Sequence, residues 1–175
     1  MFKTILKLVA TAIAVFLVVA AMQPADYRYE RSLIINASPA TLFPHVNDLH
    51  AFNVWSPWAQ IDPNAKVTYT GPRAGKGATM AWDGNNEVGK GSMSISDTKA
   101  NAFIKYALLF EEPMKGEAES EITLTPEAGG TKVTWSMFGK NDFAGKAISL
   151  LVNCEKMIGD TYEKGLLNLK EKVKG

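Results

Sequence analysis

Apolar and polar positions alternate over most of the chain. Residues 27–38 read YRYERSLIINAS, and this period of two predicts a first strand with Leu33 and Ile35 on one face. From residue 66 onward, six further stretches alternate in the same way, separated by turn residues such as Gly71-Pro72 and Gly129-Gly130. Six short strands joined by tight turns predict an antiparallel meander.

Two regions carry helical patterns instead. Ser38 suits a helix N-cap and Pro44 interrupts the pattern that follows, so we expect two short helices near 39–46 and 48–53. The only long helical pattern covers 142–174, and we expect one continuous helix there. Its apolar stripe, with spacings of three and four, comprises Ala147, Leu151, Cys154, Ile158, Tyr162, Gly165 and Leu169.

These elements indicate an α+β fold. Sorting the strand residues by parity puts bulky apolar side chains on one face, and hydroxyl-bearing and charged side chains on the other, as in a sheet with one buried face. One long amphipathic helix covers such a sheet only if the sheet curls around it. Strong curvature leaves space between sheet and helix, so the pattern is compatible with a cavity or with a filled core.

Two tryptophans three residues apart flank a Ser-Pro pair before the meander begins. Pro57 disfavours helical backbone at Ser56, so we expect Trp55 and Trp58 not to share one continuous helix. We expect one indole to pack inward over a cavity and the other to hold the loop. The alternative is that both are structural plugs of the core.

The inward face of the expected sheet is rich in aromatic and methionine side chains. Trp82, Tyr106, Trp135 and Tyr162 each carry a polar atom that needs a partner when buried. Their convergence from sheet and helix favours an apolar cavity with a few polar points over an ordinary core. The predicted ligand-binding residues are Trp55, Trp58, Tyr69, Met80, Trp82, Met93, Tyr106, Leu108, Phe110, Trp135, Met137, Ile158 and Tyr162.

The N-terminus differs in kind from the rest. Lys3 and Lys7 precede an uncharged apolar stretch that ends at Met22. A helix of about 19 residues spans roughly 28 Å, close to the hydrocarbon thickness of a bilayer. We predict a transmembrane anchor with a short linker over 1–26 and a folded domain over 27–175. A cleavable signal peptide is the alternative for the first segment.

The charges around this segment indicate its orientation. A slight excess of positive charge before the apolar stretch favours an N-terminus on the cytoplasmic side. We therefore predict a single-pass protein of a bacterial-type inner membrane, with the domain on the periplasmic side.

Composition excludes several functions. The formal net charge is +1, with 19 basic and 18 acidic residues and no basic stripe, so we expect no nucleic-acid partner. Cys154 is the only cysteine, which rules out a disulfide within the chain and a zinc site built from cysteines. GPRAGKGA resembles a phosphate-binding loop, but an expected strand follows it rather than a helix, so we interpret it as a hairpin loop.

Catalytic chemistry is scarce in this sequence. His45 and His50 are the only histidines, and nothing else suggests ligands that converge on them, so we predict no metal and no cofactor. No Ser-His-Asp or Cys-His arrangement is visible. The inward positions hold almost no titratable groups besides tyrosine hydroxyls, which favours a binding protein over an enzyme, with no catalytic residue assigned.

Three stretches carry a family resemblance: VNDLHAFNVWSPW, DPNAKVTYTGPRAGKGATMAWDGNNEVGKGSMSI and KVTWSMFGKNDFAGKAISLLVNCEKMIGDTYEKGLLNLK. Together they resemble the SRPBCC (START-like) superfamily, and within it the polyketide cyclase/dehydrase and lipid-transport-like proteins, over about 27–172. The resemblance implies a helix-grip fold, in which a seven-stranded curved antiparallel sheet wraps around a long C-terminal helix with an apolar cavity between them. It implies no single chemistry, because the superfamily includes carriers, cyclases, hydrolases and chaperone-like modules.

We therefore expect a membrane-anchored domain that binds a small hydrophobic or amphipathic ligand, such as a lipid, an isoprenoid or a polyketide-like ring. Its expected partners are that ligand and the membrane, and the sequence does not indicate an oligomeric state. Two alternatives stay open. A cyclase/dehydratase-like enzyme would use tyrosine hydroxyls and His45 in the same cavity, whereas a non-catalytic protein-interaction module would have a filled core.

Overall fold

The computed structural model describes residues 2–174. In chain order the elements are α1 (Phe2–Met22), β1 (Asp26–Ile35), α2 (Pro39–Asn47), α3 (Leu49–Trp55), α4 (Pro57–Ile61), β2 (Lys66–Thr70), β3 (Thr79–Asp83), β4 (Lys90–Lys99), β5 (Phe103–Glu112), β6 (Gly116–Glu127), β7 (Gly130–Lys140), α5 (Phe143–Ser149) and α6 (Cys154–Lys174). The strands form one antiparallel sheet in the order β1-β7-β6-β5-β4-β3-β2. Only the β1–β2 connection crosses the sheet, and helices α2, α3 and α4 lie within it.

Helix α6 packs on the concave side of this sheet and buries one stripe of its surface. Gly165 allows α6 to approach the sheet closely, because a Cβ atom there would lie 2.6 Å from the Trp135 ring and 3.2 Å from Pro57. A break in the β4–β5 register between Ile95 and Asp97 marks a β-bulge, which bends the strands. The expected α+β helix-grip architecture, with seven curved strands around a C-terminal helix, is confirmed.

The expectation of one continuous C-terminal helix is wrong. Helix α5 ends at Ser149 and α6 begins at Cys154, and the intervening turn separates them. The Asn153 side chain accepts a hydrogen bond from the Lys156 backbone N–H at 2.9 Å and so caps the start of α6. Leu151, which we expected on the buried stripe, is 76% exposed.

The short helices after β1 form close to the expected positions. Asp48 separates α2 from α3, and its carboxylate accepts the backbone N–H groups of His50 and Ala51. A third helix, α4, follows Pro57 at once and was not expected from the sequence. Trp55 ends α3 and Trp58 lies in α4, so the two tryptophans do not share a helix, as expected.

The strand registers define two ends of the sheet. The open end, as we call it, contains the first residues of β1, β2, β4 and β6 and the last residues of β3, β5 and β7. The opposite, closed end is filled by α2 and α3, whose Leu42, Val46 and Leu49 are buried together with Ile104 and Ile122 of the sheet. The dense core at the closed end leaves the open end free to hold a cavity.

Candidate binding cavity

A cavity of about 200 Å³ lies between the sheet and α6. Its floor contains Phe52, Ser120 and Trp135, which are buried. Its rim contains Trp82 and Phe110, which are half-buried and lie near the ends of β3 and β5. The cavity therefore runs from the middle of the domain toward the open end of the sheet.

Strand alternation supplies the apolar wall on the sheet side. Met80 lies opposite Met93, and Met93 lies opposite Leu108, so three adjacent strands project these side chains onto the concave face. Gly91 lies opposite Trp82, and a Cβ atom at Gly91 would be 2.7 Å from the indole ring. Glycine at this position thus leaves space for the Trp82 ring within the wall.

Helices α4 and α6 supply the opposite wall. Ile158 and Tyr162 are four residues apart on α6 and project from one face of the helix. The Tyr162 ring stacks on Trp135, with centroids 4.1 Å apart, and Trp58 meets both rings edge-on at 5.8 and 6.2 Å. This aromatic cluster fixes the distance between helix and sheet at the cavity floor.

The polar points of the floor are centred on Ser120. Its hydroxyl accepts a hydrogen bond from Trp135 Nε1 at 2.9 Å and donates to the Ser136 carbonyl at 2.9 Å. The Tyr162 hydroxyl lies 3.4 Å from the same oxygen, which is a long contact. Burial raises the pKa of Tyr162 far above its ordinary value, so the phenol stays protonated and can donate a hydrogen bond into the cavity.

The rim adds polar groups without a buried charge. Asn53 and Asp62 both line the cavity and are partly exposed. The Asp62 carboxylate accepts backbone N–H groups from Asn64 at 3.1 Å and Asn85 at 2.8 Å, which ties two rim loops together. The cavity therefore suits a molecule with an apolar body and a polar end near the rim.

The structure brings most of the predicted ligand-binding residues to this wall, and their contact with a ligand stays a prediction. They are Trp58, Met80, Trp82, Met93, Leu108, Phe110, Trp135, Met137, Ile158 and Tyr162.

The remaining predicted residues lie outside the cavity wall. Trp55 donates from Nε1 to the His45 carbonyl at 2.9 Å, and Tyr106 donates to the Val46 carbonyl at 2.6 Å. Both side chains therefore plug the core against α2. Tyr69 instead stacks on His50, with ring centroids 3.7 Å apart.

Sequence reasoning missed a further part of the wall. Val67 of β2 could have been found, because it shares a face with Tyr69 by alternation. The residues of α3, α4 and the rim loops gave no such signal, because they mix polar, small and apolar types. The missed lining residues are Phe52, Asn53, Ser56, Ala59, Asp62, Pro63, Ala65, Val67, Val88 and Ser120.

Two of the groups considered for catalysis, His45 and Tyr106, lie away from the cavity. His45 is on α2 and outside the lining, and burial lowers its pKa, so the imidazole is neutral at pH 7. Among residues 2–174, no three His, Cys, Asp or Glu side chains come together in a way that could hold a metal ion. The enzyme alternative would use His45 and tyrosine hydroxyls in the cavity. His45 and Tyr106 do not face the cavity, whereas Tyr162 does.

A curved seven-stranded sheet around a C-terminal helix, with an apolar cavity between them, defines the helix-grip class of protein. The chain belongs to the polyketide cyclase/dehydrase and lipid transport family, whose family model matches residues 27–174. No curated protein matches the chain in sequence.

Solved structures share the fold at low sequence identity. Protein CV1439 from Chromobacterium violaceum is 18% identical, with a TM-score of 0.60 over 87% of this chain and 99% of its own. BexL, a di-domain ARO/CYC protein from the BE-7585A biosynthetic pathway, is 11% identical, with a TM-score of 0.62 over 90% of this chain and 53% of its own. Ara h 8.0201 is 11% identical, with a TM-score of 0.56 over 85% of this chain and 97% of its own. At these identities the likeness shows the fold alone.

Proposed function

We propose that the protein is a membrane-anchored binding or transport domain for a small hydrophobic or amphipathic molecule, such as a lipid, an isoprenoid or a polyketide-like ring. The observation that carries the proposal is the cavity itself, with its apolar walls and the protonated Tyr162 hydroxyl at its floor. Membership of the polyketide cyclase/dehydrase and lipid transport family supports the binding of hydrophobic ligands.

The cavity volume limits how the ligand is held. Sites for drug-sized molecules usually enclose about 300–1,000 Å³, and this cavity, at about 200 Å³, is smaller. We infer that one ring or a short acyl segment enters the cavity while a polar end stays at the rim near Asn53 and Asp62. Burial of apolar surface supplies most of the affinity, at roughly 25 cal/mol per Å² before ordering costs.

The membrane part of the proposal rests on α1. Among residues 2–174, α1 is the one helix that is long and apolar enough to cross a bilayer, and a signal sequence would meet the same criterion. Its side chains are exposed along nearly the whole helix, with Ala20 buried. An exposed apolar surface of this length is stable in lipid rather than in water. We propose an uncleaved single-pass anchor with the domain on the periplasmic side of a bacterial-type inner membrane.

The test is native mass spectrometry of the full chain, followed by organic extraction of what co-purifies. A discrete apolar molecule, released on denaturation, is the expected result. Leu108→Trp should reduce its yield several-fold, because Leu108 lines the cavity. Leu109→Trp is the matched control, because the next residue of β5 lies on the outer face. An empty wild-type protein, or equal ligand yields in both variants, would overturn the assignment of this cavity.

A further inference from the structure

The cavity rim and the α1 anchor lie at the same end of the sheet. Strand β1 begins at Asp26, which pairs with Lys140 at the end of β7, so the chain leaves α1 at the open end. The rim residues Trp82 and Phe110 lie near the last residues of β3 and β5, which belong to that end as well. The antiparallel register alone therefore puts the cavity rim and the chain segment that leads to the membrane at the same end of the sheet.

An exposed apolar surface occupies the same end. Helix α5 follows β7 directly and packs against α1. Large apolar side chains of α5, of the turn after it and of the first turns of α6 are exposed to solvent. We call them the α5–α6 patch, and they are Phe143, Leu150, Leu151, Val152 and Met157.

The patch differs from the other exposed apolar residues of the domain. Outside α1, exposed residues such as Ile34, Val54 and Leu167 stand singly, which is normal for a protein surface. Three consecutive residues of the patch, 150–152, are exposed together in the turn that interrupts the C-terminal helix. Contiguous apolar surface of this kind marks a contact with a membrane or a partner.

We propose that the α5–α6 patch lies in the interface of a lipid bilayer beside α1, so that the cavity opens toward the membrane surface. This inference rests on the proposed function, because it takes α1 to be in the bilayer. The patch adjoins α1, because α5 packs against α1. This proximity favours the bilayer over a protein partner as the surface that covers the patch. Only residues 23–25 separate α1 from β1, so Met22 and Asp26 are at most about 14 Å apart.

The position of the patch is tested by fluorescence on the full chain in phosphatidylethanolamine/phosphatidylglycerol vesicles. Single cysteines are introduced into a Cys154→Ser background and labelled with the dye NBD. Leu151→Cys reports on the patch. Ile34→Cys is the matched control, because Ile34 is 46% exposed and lies at the closed end. Val15→Cys reports on the middle of α1.

We expect brominated lipids to quench the label at position 151 several-fold more than the label at position 34, and the label at position 15 most of all. Equal quenching at positions 151 and 34, with strong quenching at position 15, would overturn the patch while the anchor stands. An unquenched label at position 15 would instead refute the anchor and, with it, the inference that depends on it.

A second experiment tests the direction of the cavity opening. The full chain in vesicles receives dansyl-labelled undecanoic acid from donor vesicles of the same composition. Entry is the part of the energy transfer from the lining tryptophans Trp58, Trp82 and Trp135 to dansyl that excess unlabelled undecanoic acid abolishes, because transfer to dansyl in the bilayer persists. Leu150→Glu/Leu151→Glu should slow entry several-fold, whereas Leu167→Glu, an exposed position on α6, should not. Equal rates in both variants contradict the inference, and no entry into the wild type contradicts the proposed ligand class.

Discussion

The Trp135 and Tyr162 rings lie face to face, with centroids 4.1 Å apart and 7° between their planes. Trp135 comes from β7 and Tyr162 from α6, so this one contact joins the sheet to the helix that it surrounds. Trp135 also donates to Ser120 on the neighbouring strand. The floor of the cavity is thus a rigid aromatic layer. Substitutions there should lower the stability of the fold more than they weaken ligand binding.

Ser120→Ala should destabilise the domain by about 1–3 kcal/mol, because it leaves the buried Trp135 Nε1 without its acceptor. Thermal unfolding followed by tryptophan fluorescence measures the effect. Ser32→Ala is the control, since the Ser32 hydroxyl bonds Thr134 on the exposed face. An unchanged melting temperature for Ser120→Ala would show that this hydrogen bond contributes little.

The two cavity tryptophans on the sheet should respond differently to truncation. Trp135 is 2% exposed, so Trp135→Ala should cost about 3–5 kcal/mol of stability. Trp82 is half-buried at the rim, so Trp82→Ala should leave the domain folded. Loss of about 50 Å² of apolar contact should weaken binding of dansyl-undecanoic acid roughly tenfold. Leu109→Ala on the outer face controls for truncation of a side chain. A Trp82→Ala variant that binds as tightly as the wild type would contradict the assignment of Trp82 to the rim.

Alkaline pH should destabilise the protein through Tyr162. Burial raises the pKa of this phenol in the folded state above its ordinary value of 10.0, so the folded state keeps a proton that the unfolded state loses. The contribution of the protonated Tyr162 phenol to the free energy of unfolding is complete below pH 10 and falls as the pH rises further. Between pH 9 and 11, wild type should lose about 1.4 kcal/mol more stability than Tyr162→Phe. Urea unfolding at both pH values measures this, and parallel losses would exclude Tyr162 as the cause.

Gly165→Ala should destabilise the domain even though alanine favours helix formation by about 1 kcal/mol. The added methyl group would meet the Trp135 ring at 2.6 Å and force α6 away from the sheet. We expect a net loss of about 1–2 kcal/mol in chemical unfolding. Lys164→Ala, at the neighbouring exposed position, should change stability by less than about 0.5 kcal/mol. A more stable Gly165→Ala variant would mean that helix and sheet separate at little cost.

Local patterns were sufficient to predict the sheet. Alternation identifies all seven strands, because each strand has one face in the core and one in water. The same parity correctly assigns Met80, Met93 and Leu108 to one face, and the register then makes them neighbours. These are properties of single strands and adjacent pairs, which a sequence records directly.

Features that depend on distant partners could not be predicted in this way. The apolar spacing of three and four continues through Leu151, but α5 ends at Ser149 and the Asn153 cap starts a separate helix. Tyr106 and Trp55 do carry polar atoms that need partners, yet those partners are carbonyls of α2 rather than a ligand. A sequence shows that a hydrogen bond is needed and does not show which group satisfies it.

The short connection between α1 and β1 limits how far the domain can travel. With α1 in the bilayer, a linker of three residues keeps the start of the binding domain within about 14 Å of the end of the anchor. Such a protein cannot carry a bound molecule from one membrane to another by itself. A molecule that accepts the ligand from such an anchored domain has to reach the same membrane surface.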